Sequence, residues 1–298
     1  MEGTFKRQGG EKIIGCLNTV LLLFIMLCAL YPLVFVVSSS FSEPAEVLKG
    51  NVLLFPKGIN VDSYRRVFAH DSIMRGYLNS LIYTVAGTLV NMIMTVLCAY
   101  PLSRKDLVGK TTITSLIVFT MYFSGGLIPT YLVVSRWLNL KNTIFALVLP
   151  GAISVYNMII MRSYFVSSIP DELNDAALID GCSHIRLLTR VMLPLSMPVL
   201  AVVGMYYLVG HWNAWFDALI YMSDRKRYPL QLVLKSVLVD GTESLVSETD
   251  LETAVNQLML SESIKYAVIV VASVPVLLIY PFLQRFFVKG VMVGALKG

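Results

Sequence analysis

Charge is scarce in this chain. Asp, Glu, Lys and Arg make up 14% of its 298 residues, against roughly a quarter in a soluble domain. They are missing altogether from the stretches 13–41, 76–103, 111–135, 142–161, 191–216 and 266–284. Each stretch is about as long as the ~20 apolar residues that a helix needs to cross a bilayer. A mean hydropathy of +0.70 agrees. The expectation is an all-α membrane protein with about six transmembrane helices, organised as one membrane domain over 1–298. An ion-driven carrier needs acids or bases inside its spans, and these runs hold none.

Cysteine and histidine are also few. Cys16, Cys28, Cys98 and Cys182 show no metal-ligand spacing, and they read as small packing residues in a reducing setting. His70, His184 and His211 are scattered, so no metal centre is expected. No complete nucleotide-cradling loop is present, since Gly109-Lys110-Thr111 has Arg104 rather than glycine five residues ahead of Gly109, so this chain is not expected to bind ATP itself. No histidine cluster or isolated carboxylate pair suggests an enzyme. The net charge of +5 reads as membrane topology rather than nucleic-acid binding. The first run is too long for the ~7–15-residue core of a signal peptide, and is expected to stay as a membrane helix.

Basic residues set the expected orientation. Lys6, Arg7, Lys12, Arg104, Lys105, Lys110, Arg162, Arg186, Arg190, Arg285, Lys289 and Lys297 fall on one side. That side is expected to be cytoplasmic, with both termini on it. The outer loops would be 42–75 and 223–265. Arg225, Lys226 and Arg227 lie close to a helix end on the outer side and run against the rule. The second outer loop is acidic in its middle, with Asp240, Glu243, Glu248, Asp250 and Glu252.

An inner block, 162–198, carries charge between two apolar runs. Pro170 suits a first helical turn, and Asp171 and Glu172 sit where a helix dipole favours negative charge. Leu173, Ala176, Ala177 and Asp180 follow at helical spacing and share a face. Its alanines allow another protein to approach closely. Gly181 is placed to end the helix in the left-handed conformation. A second amphipathic stretch follows, with Ile185, Leu188 and Met192 on one side and Arg186 and Arg190 on another. Pro194 and Pro198 then punctuate the next apolar run.

This block resembles a known family. Asp175-Ala176-Ala177, three residues, Gly181, nine residues, then Val191-Met192-Leu193-Pro194 is similar to the EAA motif in membrane subunits of ATP-binding-cassette importers. Asp175 stands where Glu is usual and Val191 where Ile is usual. The stretch Phe55-Pro56-Lys57-Gly58, the Trp-Asn-rich run from His211 to Asp217, and the Gly-rich tail ending Lys297-Gly298 extend the resemblance over essentially the whole chain. They resemble the maltose-type carbohydrate-uptake permeases, and within them the LplC/YtcP-type branch.

The resemblance implies a type I importer permease fold. It implies partners: a second homologous permease, two cytoplasmic ATPase subunits that hold ATP and Mg, and an extracellular or periplasmic sugar-binding protein. No cofactor is implied for this chain. Leu173, Asp175, Ala176, Ala177, Asp180, Gly181, Val191, Leu193 and Pro194 would couple to an ATPase. Gly290, Gly294, Lys297 and Gly298, in the cytoplasmic tail 286–298, would touch the ATPase pair. The loop 223–265 would reach the binding protein. Oligosaccharides would be the cargo, with a polyol, a glycerol phosphate or a peptide as the alternative.

Polar residues inside the runs have two readings. Asn79, Ser80, Thr84, Asn91 and Thr95 recur at helical spacing, facing either a water-filled path or neighbouring helices. Tyr206, Tyr207, Trp212, Asn213 and Trp215 either line a sugar path or anchor the chain at the membrane surface. Ser124-Gly125-Gly126 with Pro129 is expected to loosen the third run, for rearrangement or, as favoured here, for close packing.

Overall fold

The computed structural model describes residues 9–170, 172–173, 176, 179–243, 264–279 and 281. All regular structure among them is helical. The apolar runs become helix, but few of them as one straight rod. Among the described residues, only α1 (Gly9–Ser40) and α4 (Asp71–Ser103) hold uninterrupted spans. Between them lie the short helices α2 (Pro44–Leu48) and α3 (Asp62–Ala69).

The third run divides into α5 (Lys110–Tyr122) and α6 (Leu127–Trp137), bent by 107°. The fourth divides into α7 (Ile144–Val148) and α8 (Val155–Ser168), with Pro150 and Gly151 between them. The fifth consists of α9 (His184–Leu195) and α10 (Met197–Asn213), bent by 85°. Then come α11 (Phe216–Tyr221), α12 (Leu230–Glu243) and α13 (Ile264–Ile279).

Proline and glycine explain the breaks. Pro194 and Pro198 cannot donate to carbonyls four residues back. The last turns of α9, Leu188–Met192, widen to π geometry just before Pro194. The bend falls at Ser196, between the two prolines. At the 107° break, Gly126 takes φ +85° and ψ 175°, a region almost confined to glycine. The space around Gly125 and Gly126 is open apart from the Pro129 Cβ at 3.8 Å. Close packing, the favoured reading, is therefore not found around these glycines within this chain. Gly126 is there for its backbone angles.

Two compact units emerge, residues 1–70 with 237–271, and residues 71–236 with 272–298. In the first, α1 ends in a serine-rich turn that ties down the following loop. Ser38 Oγ donates to the Leu54 carbonyl at 2.6 Å, and Ser40 Oγ lies 2.7 Å from Tyr64 Oη. Ser42 Oγ accepts from the Lys57 amide at 3.1 Å. The Phe41 ring packs on Tyr64 at 4.9 Å.

The second unit is built on α4. Ile73, Gly76, Ser80, Thr84, Gly87, Asn91, Thr95, Ala99 and Leu102 form a buried stripe at three- and four-residue spacing, joined near its end by Val96 and Tyr100. These residues are mostly small, which lets other helices come close. α10 and α8 pack on α4. A Cβ on Gly76 would stand 3.2 Å from Leu230 Cα, and one on Gly87 would stand 2.5 Å from His211 Nε2. The largest apolar core joins the lower parts of α4, α8, α9 and α10 around Tyr100, Met158, Met161, Phe165, Leu187 and Met192.

Candidate functional site

The inner block hangs from this core on two sides. Phe165 and Ile169 anchor the incoming chain, and Leu187, Leu188 and Met192 anchor the outgoing one. Arg162 Nε donates to the Leu102 carbonyl at 2.8 Å, fastening α8 to the end of α4. Tyr100 Oη lies 3.5 Å from His184 Nδ1. In the adjoining loop, Arg104 pairs with Asp106 at 3.2 Å. The backbone amide of Asp106 and then the Arg104 cation hold that carboxyl below its ordinary range.

Between these anchors the chain turns outward. The Leu173 amide donates to the Pro170 carbonyl at 3.3 Å, and the Asp180 amide to the Ala176 carbonyl at 3.0 Å. Both are helical turns. Gly181 has φ +71°, and a Cβ added there would meet nothing within 4 Å, so conformation alone demands glycine. Ser183 then caps α9, its Oγ accepting from the Arg186 amide at 3.4 Å. Leu173 is 44% exposed, Ile179 86% and Ile185 77%. Apolar side chains thus project from a short turn whose two ends are fixed in the core. Val191 and Leu193 pack against that core, and Pro194 sits at the surface beside the bend. Asp175 and Ala177 lie outside the described residues, as do Gly290, Gly294, Lys297 and Gly298.

At the opposite end of α4, polar side chains hold the 221–230 segment. Asn79 Nδ2 donates to the carbonyls of Lys226 at 2.8 Å and Tyr228 at 3.1 Å. Tyr83 Oη donates to the Arg227 carbonyl at 3.0 Å, and Ser80 Oγ accepts from the Leu230 amide at 2.8 Å. Asn142, at φ +59°, accepts on Oδ1 from the Ser223 amide at 2.6 Å, and its carbonyl accepts from the Arg227 guanidinium. Lys235 Nζ stands 3.4 Å over the Trp215 ring, a cation–π contact.

Among known proteins, residues 72–293 match the family model described as the inner membrane component of binding-protein-dependent transport systems. The chain belongs to this family of importer permeases. It is 40% identical over 280 residues to the polygalacturonan/rhamnogalacturonan transport permease YtcP of Bacillus subtilis, covering 93% of this chain and 96% of that one. It is 41% identical over 267 residues to LplC of the same organism, covering 90% and 89%. It also resembles a chain of a bacterial ABC transporter involved in import of the acidic polysaccharide alginate. That structural likeness has a TM-score of 0.85 at 33% identity and covers 95% of this chain and 100% of the other.

The permease places the remaining sequence candidates as follows. Asn91 is buried on α4, its Nδ2 donating to the Gly151 carbonyl at 2.9 Å. Tyr207 is buried, its Oη 2.7 Å from Thr95 Oγ1 and accepting from the Ser154 amide at 2.9 Å. Trp212 is buried, its Nε1 donating to the Ala272 carbonyl at 3.0 Å and its ring edge-on to Tyr77. Asn213 donates to the Val209 carbonyl of its own helix at 3.0 Å. Tyr206 is 42% exposed, with its ring 6.4 Å from Tyr156. Asn142 and Tyr83 escape a reading of the sequence. The only sequence hint for Asn142 is its residue type, since asparagine tolerates the left-handed backbone.

Proposed function

We propose that this permease forms half of the path of an ATP-driven oligosaccharide importer, and that the turn 172–181 is its coupling element. The observation that carries the proposal is the exposure of Leu173 and Ile179, between stretches of chain anchored by buried core residues. A push on such a turn passes into α8, α9 and α10 rather than being lost in loop motion. The turn docks on one of two cytoplasmic ATPases that hold ATP and Mg, and the Gly290–Gly298 tail contacts the same pair. Both termini are cytoplasmic. The whole chain acts as one permease domain beside a second, homologous permease, and the loop 223–265 meets an external binding protein. This chain binds no cofactor.

Coupling requires the ATPases to contact the turn differently in the two transport states. The 85° bend at Ser196 lies next to the core and connects the turn to α10. Oligosaccharide is the favoured cargo because YtcP and the alginate importer carry polysaccharide names. Exposed aromatic rings such as Tyr206, and the partly buried Trp215, are suited to stacking on sugars.

The test is ATPase activity of the reconstituted complex with its binding protein, across oligogalacturonides, neutral oligosaccharides, polyols and peptides. One oligosaccharide is expected to stimulate hydrolysis. Gly181→Asp or Ala177→Glu is expected to abolish that stimulation and uptake while the complex still inserts. Normal uptake by well-folded Gly181→Asp would remove the coupling role. Stimulation by polyols or peptides alone would discard the carbohydrate cargo.

A further inference from the structure

An open groove with about 440 Å³ of space lies between α5 and α8, at the end of α5 nearest loop 104–109. Lys110, Arg162, Thr111, Thr114 and Ser115 line its polar side, and Val118 and Phe119 its apolar side. The volume falls in the range of ordinary ligand sites. Its electrostatics are one-signed. Lys110 Nζ donates to the Arg104 carbonyl at 3.1 Å and Arg162 Nε to the Leu102 carbonyl at 2.8 Å. Those bonds leave most of the N–H groups of both cations unused. Neither cation pairs with a carboxylate among the described residues.

The start of α5 adds to this charge. Gly109 offers no side-chain cap and the first turn has no acid, so the amides and dipole of a 13-residue helix point out unopposed. Thr114 Oγ1 is buried without a hydrogen-bond partner among the described residues. Two cations, free amides and hydroxyls together suit a phosphate. The apolar wall separates a lipid from a soluble anion. α5 buries none of its own residues, and Leu116, Phe119 and Phe123 are 63%, 55% and 65% exposed. An acyl chain finds continuous apolar surface directly beside the charged end.

We propose that this groove binds the headgroup phosphate of an anionic phospholipid, with Lys110 and Arg162 as counter-charges and its tails along α5. Basic pockets between membrane helices on the cytoplasmic side take such headgroups. Assignment to the inner leaflet rests on the orientation proposed above. Lipid binding itself is read without sugar or ATP, so its failure is separate from failure of the transport reading.

The experiment is native mass spectrometry of the full complex in neutral detergent, with equal phosphatidylglycerol and phosphatidylcholine. Wild type is expected to retain phosphatidylglycerol preferentially. Lys110→Ala is expected to lower that retention roughly five-fold, as removal of one surface cation should, and Lys110→Arg to restore it. Equal retention of the two lipids overturns the proposal, as does unchanged selectivity in Lys110→Ala combined with Arg162→Gln. Capture of inorganic phosphate without lipid selectivity also overturns it, making this a soluble-anion site. Loss of the second permease from Lys110→Ala overturns it too, making the groove a subunit interface.

Discussion

Gly87 and His211 show what single positions do in the packed interior. The imidazole fills the place that a Cβ on residue 87 would need, at 2.5 Å from Nε2. That Nε2 is buried without a hydrogen-bond partner among the described residues, so the ring is held by shape rather than by bonding. Gly87→Ala is therefore expected to destabilise the permease by about 1–3 kcal/mol, the usual cost of overpacking a close-packed interior. In a His211→Ala background, Gly87→Ala is expected to cost little, since the clashing ring is gone. Thermal melting of the detergent-purified proteins checks this, and an equal loss from Gly87→Ala in both backgrounds would rule out the clash. Residues of this kind are the least legible in the sequence. Of Asn79, Ser80, Thr84, Asn91 and Thr95, read at helical spacing, the last four share the buried stripe of α4 and Asn79 is half-buried. Spacing alone leaves open whether that face meets water or protein. The partners of Asn91 Nδ2, Tyr207 and Trp212 sit 60, 53 and 60 residues away in the chain, beyond any local pattern.

Breaks in the helices separate two kinds of glycine that look alike in sequence. Gly125 and Gly126 are adjacent in open space, but only Gly126 combines φ +85° with extended ψ. Gly126→Ala is expected to cost about 1–3 kcal/mol of backbone strain, while Gly125→Ala is expected to be near neutral. Melting temperatures of the pair decide it, and similar losses in both would mean that packing against another subunit matters instead. The punctuation of the third run is legible because glycine and proline carry conformational rules of their own. The fifth run is legible for the same reason, through Pro194 and Pro198. The size of each bend is not, because an angle of 85° or 107° depends on what the two halves pack against. The turn proposed for coupling is legible by motif, and Gly181 adopts the left-handed angle expected of a helix terminator. The brace beneath it, Phe165 and Ile169 against Leu187 and Met192, needs the three-dimensional core.

Of the two uninterrupted spans among the described residues, α1 is the uncovered one. α1 carries the span 13–40, and none of its most apolar window is buried in the isolated chain. Leu17, Leu22, Ile25 and Leu27 are all more than half exposed, and they point in different directions around the helix. A helix apolar all round satisfies its backbone internally and needs only apolar surroundings. Lipid supplies these, and so does a second permease. The two coverings differ in shape, since lipid adapts to a larger side chain and a packed protein surface does not. Replacing each α1 residue from 13 to 34 in turn by Trp therefore reads out the covering. A helix packed on the second permease is expected to show one stripe of sensitive positions at three- and four-residue spacing. Co-purification of that subunit should fall there while insertion persists. Uniform tolerance around the helix would assign α1 to lipid alone, and the second permease would then have to join through the unit built on α4.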